Sequence, residues 1–365
     1  MLSAAGAASG GERSGWIDGL RALCALTVVL WHGVAGIPDL PRAVVERSSL
    51  AANLAVEMFF VISGYLITAS LLRRALPGGG LAAYRRFLLA RAVRILPTAG
   101  AGLAAFYALA AWCGPAFGAR DIIIYATFQS HWYEAWHGGG SAVGPGQYWS
   151  LSIEEHFYLL WPLLLATIPS LRARPLSLVV AAVALGLASR ALLLAAGWDC
   201  FYFFTARLDG LAAGAGVALC GLAPFAAGVR ARHVLAAGVL TAIAGVLWLG
   251  YSGEAHWALQ LAKYPLVAGA CLALFLAAYR WAPLHRALAL PWMTWIGRRS
   301  YSLYVIHGVG LTLAGAVAPA WASGGGALAA AAVFLACYFA ATALLAQLLY
   351  LAVEAPTTRW AERWR

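Results

Sequence analysis

Charge is what this 365-residue chain has least of: 11% of its residues are Asp, Glu, Lys or Arg, against 63% hydrophobic ones, and the mean hydropathy is +0.78. A water-soluble domain carries roughly a quarter charged residues, so a soluble fold is excluded. The charge present is mainly basic, 25 Lys and Arg against 14 Asp and Glu. With no separate basic domain to form a nucleic-acid footprint, that excess reads as the inner loops of a membrane protein, and no nucleic-acid partner is expected. The six cysteines, Cys24, Cys113, Cys200, Cys220, Cys271 and Cys337, stand singly in apolar surroundings. No CxxC or Cys/His cluster exists to build a metal site, and most of the six read as small core residues. Cys113 and Cys200 both fall near the expected outer face, which permits a disulfide without supplying the distance. No clean cleavage site follows the first apolar segment, so it reads as a retained helix rather than a signal peptide. There is no internal repeat of the inverted-repeat transporter kind, and no soluble domain is expected at either end.

Long apolar runs are what the chain has in abundance. Windows of about 20 apolar residues, the length needed to cross a bilayer, recur from end to end. They fall near 18–37, 50–72, 95–113, 149–171, 176–197, 206–227, 233–252, 259–279, 300–320 and 327–353. The expectation is an all-α polytopic integral membrane protein of about ten transmembrane helices, a single domain over 1–365 with cytoplasmic tails at 1–16 and 354–365. Asp121 to Trp132 is apolar but too short to span, and should dip into the outer interface or pack inside the bundle. An inside N-terminus puts eighteen basic residues on the inner ends and loops and leaves only Arg42, Arg47 and Arg120 outside. The positive-inside rule therefore assigns both termini to the cytoplasm. The glycine runs 78–80, 138–140 and 324–326 lie between spans and read as loops, not phosphate cradles.

Ionisable groups inside hydrocarbon are costly and usually mark a polar pathway or site, so the few exceptions are informative. Arg21 and His32 are eleven residues apart, which returns the helix to within about 20° of the same face after roughly 16 Å of rise. Arg21 would sit at the cytoplasmic end and His32 well across the bilayer; the same spacing also fits a headgroup-level histidine beside Trp31. Glu57 in the second span needs a polar partner in the bundle, whereas Ser63, Gly64 and Tyr65 read as helix packing. Arg91 and Arg94, three apart on one helix face at the inner boundary, can fork onto phosphate oxygens, while Arg73, Arg74, Arg85 and Arg86 read as an anchor on anionic membrane lipid.

The fourth span opens Trp149-Ser150-Leu151-Ser152-Ile153-Glu154-Glu155-His156. Glu154 suits simple N-terminal capping. Glu155 lies three residues beyond Ser152, on the face of Tyr158 and Pro162, and can point into the bundle toward His32. Arg190 is a further charge in the fifth span, and Arg207 and Asp209, opening the sixth, would neutralise groups in the same outer cavity. Arg298-Arg299-Ser300-Tyr301 opens a basic, hydroxyl-rich helix N-terminus able to receive anions. Lys263, His307 and Glu354 read as snorkelling or boundary residues outside the site.

Together these segments resemble the membrane acyltransferase-3 family over nearly the whole chain. The matching pieces, in order, are Asp18-Gly19-Leu20-Arg21 with His32 following Arg21 after ten intervening residues, Phe59-Phe60 through Ser63-Gly64-Tyr65, Arg91-x-x-Arg94 before Pro97, Trp149-Ser150-Leu151-Ser152 through Pro162, Arg207-x-Asp209-Gly210, and Ser300-Tyr301-Ser302-Leu303-Tyr304 through His307. His156 departs from the pattern, standing where the family commonly has glutamine, next to the site and bearing on acceptor recognition. On this reading the chain is expected to end soon after the tenth span, without the additional helix and SGNH hydrolase-like domain of fused members. Transfer would then be completed by the membrane domain or by a separate periplasmic partner protein.

The resemblance implies a multi-pass enzyme of the bacterial inner membrane that O-acylates a carbohydrate or glycoside acceptor. It implies acyl-CoA, most often acetyl-CoA, as co-substrate, with no metal, its phosphates near Arg91 and Arg94 and with Tyr301 on the cofactor side. On this reading His32 is the base, or carries the acyl group briefly, Arg21 stabilises developing negative charge or holds the pantetheine end, and Glu155 or Glu57 orients the imidazole. Trp149, Ser152, Arg190, Arg207 and Asp209 are the candidate acceptor-side residues. Two rivals fit intramembrane charge as well: a carrier or flippase for an anion or lipid-linked sugar, and a non-catalytic structural or polymer-export subunit.

Overall fold

The computed structural model describes residues 15–37, 39–74, 81–113, 116–139, 143–222, 257–322 and 326–362, together with positions 233 and 238. Among the described residues every regular element is helical. The helices are α1 (Gly15–Ala35), α2 (Arg42–Arg74), α3 (Leu81–Cys113), α4 (Ala119–Ala126), α5 (Ser130–His137), α6 (Tyr148–Thr167), α7 (Pro175–Ala195) and α8 (Leu208–Cys220). They continue as α9 (Trp257–Arg280), α10 (Ala282–Leu288), α11 (Pro291–Arg298), α12 (Ser300–Ala322), α13 (Gly326–Leu349) and α14 (Ala355–Glu362). Seven helical stretches among the described residues are long and apolar enough to cross a membrane: α1, α2, α3, α7, α9, α12 and the continuous run that starts with α13. Helix α6 has a span's length, 20 residues, but is polar over Ser150–His156. Apart from positions 233 and 238, the expected span at 233–252 lies outside the described residues, as do the expected tail up to residue 14, the glycine run 78–80 and parts of the other two runs.

Local chemistry sets the ends of the short elements. Helix α4 begins where the Asp121 carboxylate accepts the Gly118 N–H at 2.8 Å. Helix α5 ends at Gly138, whose φ of 73° is left-handed and costs glycine nothing. The stretch expected to dip, Asp121 to Trp132, is thus covered by α4, a turn and the start of α5, which packs on α6. The expected C-terminal tail is helical over its described residues, up to 362: a π-helical turn over Tyr350–Glu354 leads into α14, which packs on α3.

Helix α1 lies at the centre, packed on α2, α10, α11 and α12. Its inner end is clamped by close backbone approach. A Cβ at Gly19 would sit 2.0 Å from the Leu288 carbonyl oxygen, and one at Gly297 would sit 1.9 Å from that of Asp18. The closest pairing on the other side joins α2 to α8 through Gly64 and Gly214, where an added Cβ would meet the Leu211 and Val61 carbonyl oxygens at 2.0 and 1.9 Å. The largest apolar core, including Leu20, Phe60, Ile153, Leu211 and Phe275, fills the space among these helices. A second core joins α3, α6 and α12 through Phe106, Tyr148 and Val305. The disulfide that topology allowed does not form: Cys113 is exposed, Cys200 is buried, and both are free.

Candidate functional site: a polar row through the bundle

Helical periodicity brings polar side chains of α1, α2, α3, α6 and α12 onto facing surfaces. On α6, Ser150, Glu154 and Tyr158 recur every four residues and so share a face. The Glu154 carboxylate accepts from the Ser63 hydroxyl at 2.9 Å and the Tyr158 hydroxyl at 2.8 Å. Arg21 and Arg91 lie within electrostatic reach of it. The Arg91 guanidinium sits 5.0 Å from the Tyr158 ring centroid and 5.7 Å from that of Phe87. Glu155, also within reach of Arg91, keeps Oε1 buried with no hydrogen-bond partner. Arg94 lies one turn further along α3. These residues form the inner end of the row. Two expectations are corrected here: Glu154 makes no cap and holds the centre of the polar contacts, and Ser63 is a donor to it rather than a packing residue.

Toward the outer side stands a pair of imidazoles. His32 donates Nδ1–H to the Val28 carbonyl at 2.9 Å, and its ring centroid lies 4.6 Å from that of His307. His307 is fully buried, with Nδ1 3.3 Å from the Leu303 carbonyl and Nε2 unpartnered. His307 reads in the sequence as a boundary residue, yet the structure sets it against His32. The signal was present: Tyr301, Tyr304 and His307 recur every three residues, which puts neighbouring members on one helix face. Tyr304 connects the two ends. Its ring meets His307 at 5.6 Å and Phe59 at 5.9 Å, and its hydroxyl contacts that of Ser150 on α6. Neither Glu57 nor Glu155 touches the His32 ring, contrary to the orienting role expected of them. The carbonyl four residues back already satisfies Nδ1, while the carboxylates face Arg207 and the Arg91 region.

Four of the remaining buried charges form two neutralising pairs. Glu57 finds its polar partner in Arg207 at 3.2 Å, and the Arg207 guanidinium is also ringed by Tyr264, Phe201, Trp149 and Phe60 at 4.6 to 5.6 Å. Arg190 forks onto Asp209 at 2.6 and 3.3 Å and donates to the Ala206 carbonyl at 2.7 Å. Trp149 therefore belongs to the cage around Arg207, while Ser152 is fully buried beneath α5, bonded to Ser130 at 2.7 Å. His156, the departure from the family pattern, packs its ring 4.6 Å from His131 on α5. Burial, reinforced by the neighbouring His156 ring, pushes the His131 imidazole down to about 3. At the inner end of α12, Tyr301 donates to the Ile95 carbonyl of α3 at 3.0 Å. Glu354, expected at a boundary, is buried and accepts from both the backbone N–H and the hydroxyl of Ser302, at 3.1 and 2.6 Å.

An all-helical bundle with membrane-crossing helices and a polar row running through it defines an integral membrane protein with an internal site. The chain belongs to the acyltransferase-3 family, whose acyltransferase-domain profile matches residues 14–351. It is similar to the peptidoglycan O-acetyltransferase OatA of Listeria monocytogenes, 26% identical over 315 residues that make up 80% of this chain and 48% of that one. A Staphylococcus aureus protein named Putative O-acetyltransferase is 31% identical over 168 residues, 42% of this chain and 24% of its own. The Bacillus subtilis protein named Putative peptidoglycan O-acetyltransferase YrhL is 30% identical over 162 residues, 41% and 23% of the two chains. The chain thus spans about half the length of the Listeria relative and about a quarter of the others. No solved structure matches it.

Proposed function

We propose that the protein is a membrane O-acyltransferase of the bacterial inner membrane, moving an acetyl group from cytosolic acetyl-CoA to a hydroxyl of a cell-envelope glycan of the peptidoglycan type. The observation that carries this reading is the polar row itself, cationic at Arg21 and Arg91 on its inner end and holding the His32 imidazole on its outer side. Arg91 and Arg94 suit the donor's phosphates, since guanidinium forks match phosphate oxygens. Tyr301 stands on that same inner side, with its hydroxyl engaged by Ile95. The Nδ1 bond to Val28 leaves the Nε2 lone pair of His32 available. That nitrogen takes the acceptor's proton as the hydroxyl oxygen attacks the thioester carbon. The carbon–sulfur bond then breaks, and the thiolate recovers the proton from Nε2. Arg21 offsets the negative charge on the donor side. The acceptor-side roles of Trp149, Ser152, Arg190, Arg207 and Asp209 belong to the same proposal, whereas Glu57 and Glu155 serve it through Arg207 and the Arg91 region rather than by touching the imidazole. Their contacts favour a supporting function, holding the walls of the row in place.

The test is release of free thiol from acetyl-CoA by membranes containing the full chain and envelope glycan. Wild type should release it, and His32→Ala should slow release by about 10²–10⁴-fold, the usual loss on removing a general base. Movement of a glycan across the membrane with acetyl-CoA unchanged would instead identify a carrier.

A further inference from the structure

His307 is a titratable group packed against the proposed base, and it has no part in the mechanism above. It lies on α12, fully buried, with Nε2 lacking a partner. Buried polar nitrogens are ordinarily paired, and an orphaned one calls for an explanation. Its neighbour supplies one. A carbonyl only accepts, so the short contact to Val28 fixes the hydrogen of His32 on Nδ1, and the longer contact of His307 to Leu303 favours the same tautomer. With both rings neutral, each Nε2 carries a lone pair and neither can donate to the other.

We infer that His307 is a positioning residue for acyl transfer: its Nε2 accepts the N–H that forms on His32 when that ring takes the acceptor's proton. The inference rests on the reading of His32 as the base. During the step the hydroxyl O–H breaks and an N–H forms on His32 Nε2, while the C–O bond forms and the C–S bond breaks. The thiolate then takes the proton back. His307 neither gains nor loses an atom; it holds the protonated ring in place through the interval. Trp31, its ring 4.6 Å from His32 and nearly perpendicular to it, also bounds that imidazole. His307 Nδ1 leans on its own helix, so the orientation of its Nε2 is set by α12 rather than by substrate.

The experiment compares wild type, His307→Leu and His307→Gln in the full-length chain, using acetyl-CoA as donor and cell-wall glycan fragments of the expression host as acceptor. Thermal melting of each purified variant monitors folding. The Leu variant keeps bulk but offers no acceptor atom, and kcat should fall about 100-fold with KM for acetyl-CoA nearly unchanged. The Gln variant presents an amide oxygen and should retain at least about a tenth of wild-type kcat. If the Leu variant fails to fold, the Gln variant alone decides: folded and below about a hundredth of wild-type kcat, it overturns the inference. Wild-type kcat in folded His307→Leu, or equal loss in folded Leu and Gln variants, also overturns it while leaving the role of His32 standing. A wild-type chain that releases no thiol overturns both readings.

Discussion

At the scale of single residues, buried charges were legible as oddities, but their partners were not. Glu57 in an apolar helix announces that it needs a counter-charge. Nothing in the order of residues says that Arg207, 150 positions away, supplies it, because that pairing exists only once α2 and α8 cross. The same holds for Ser63 and Glu154, and for His32 and His307, whose contact depends on the relative rotation of α1 and α12. Arg190 and Asp209 are 0% and 1% exposed, so removing one partner strands a charge in the bundle. Arg190→Ala should therefore destabilise by about 3–5 kcal/mol, read as a fall in melting temperature in detergent. The paired replacement Arg190→Met with Asp209→Leu should recover most of that loss, because two apolar side chains leave no orphan. A single variant as stable as wild type would show that water reaches the pair.

At the scale of elements, most helices were foreseeable from apolar length, while their contacts followed from where glycine stands. The Ser-Gly pair in α2 suggested close packing, and Gly64 bears this out by lying directly against the backbone of α8. Gly214→Val should be tolerated poorly: overpacking costs about 1–3 kcal/mol even in adaptable cores, and here the obstacle is a carbonyl oxygen. Lower melting temperature and loss of a monodisperse elution peak are the expected readouts. The C-terminal end was misjudged for a different reason. Glu354 reads as a boundary charge because sequence does not reveal a π-helical turn, yet that turn brings the carboxylate onto the first turn of α12. Glu354→Ala leaves the Ser302 N–H and hydroxyl unpaired and should cost about 1–3 kcal/mol by the same melting assay, with Glu354→Gln recovering part of it.

At the scale of the whole molecule, orientation follows from arginine placement alone, a global asymmetry that needs no contact to be read. Two free, exposed cysteines allow it to be checked: Cys113 ends α3 on the expected outer side, and Cys220 ends α8 on the inner. A membrane-impermeant maleimide should label Cys113 and spare Cys220 in intact spheroplasts, with the pattern reversed in inside-out vesicles. Labelling of Cys220 from outside would overturn the assigned topology.

The clamp on α1 has a consequence at this largest scale. With Gly19 against the Leu288 carbonyl and Gly297 against that of Asp18, the cytoplasmic end of α1 has no room to slide or roll. The helix that carries both Arg21 and His32 is thus a fixed yardstick, and the distance between these two polar marks is written into the chain as a count of residues. Any breathing that admits bulky molecules from either side must be done by its neighbours.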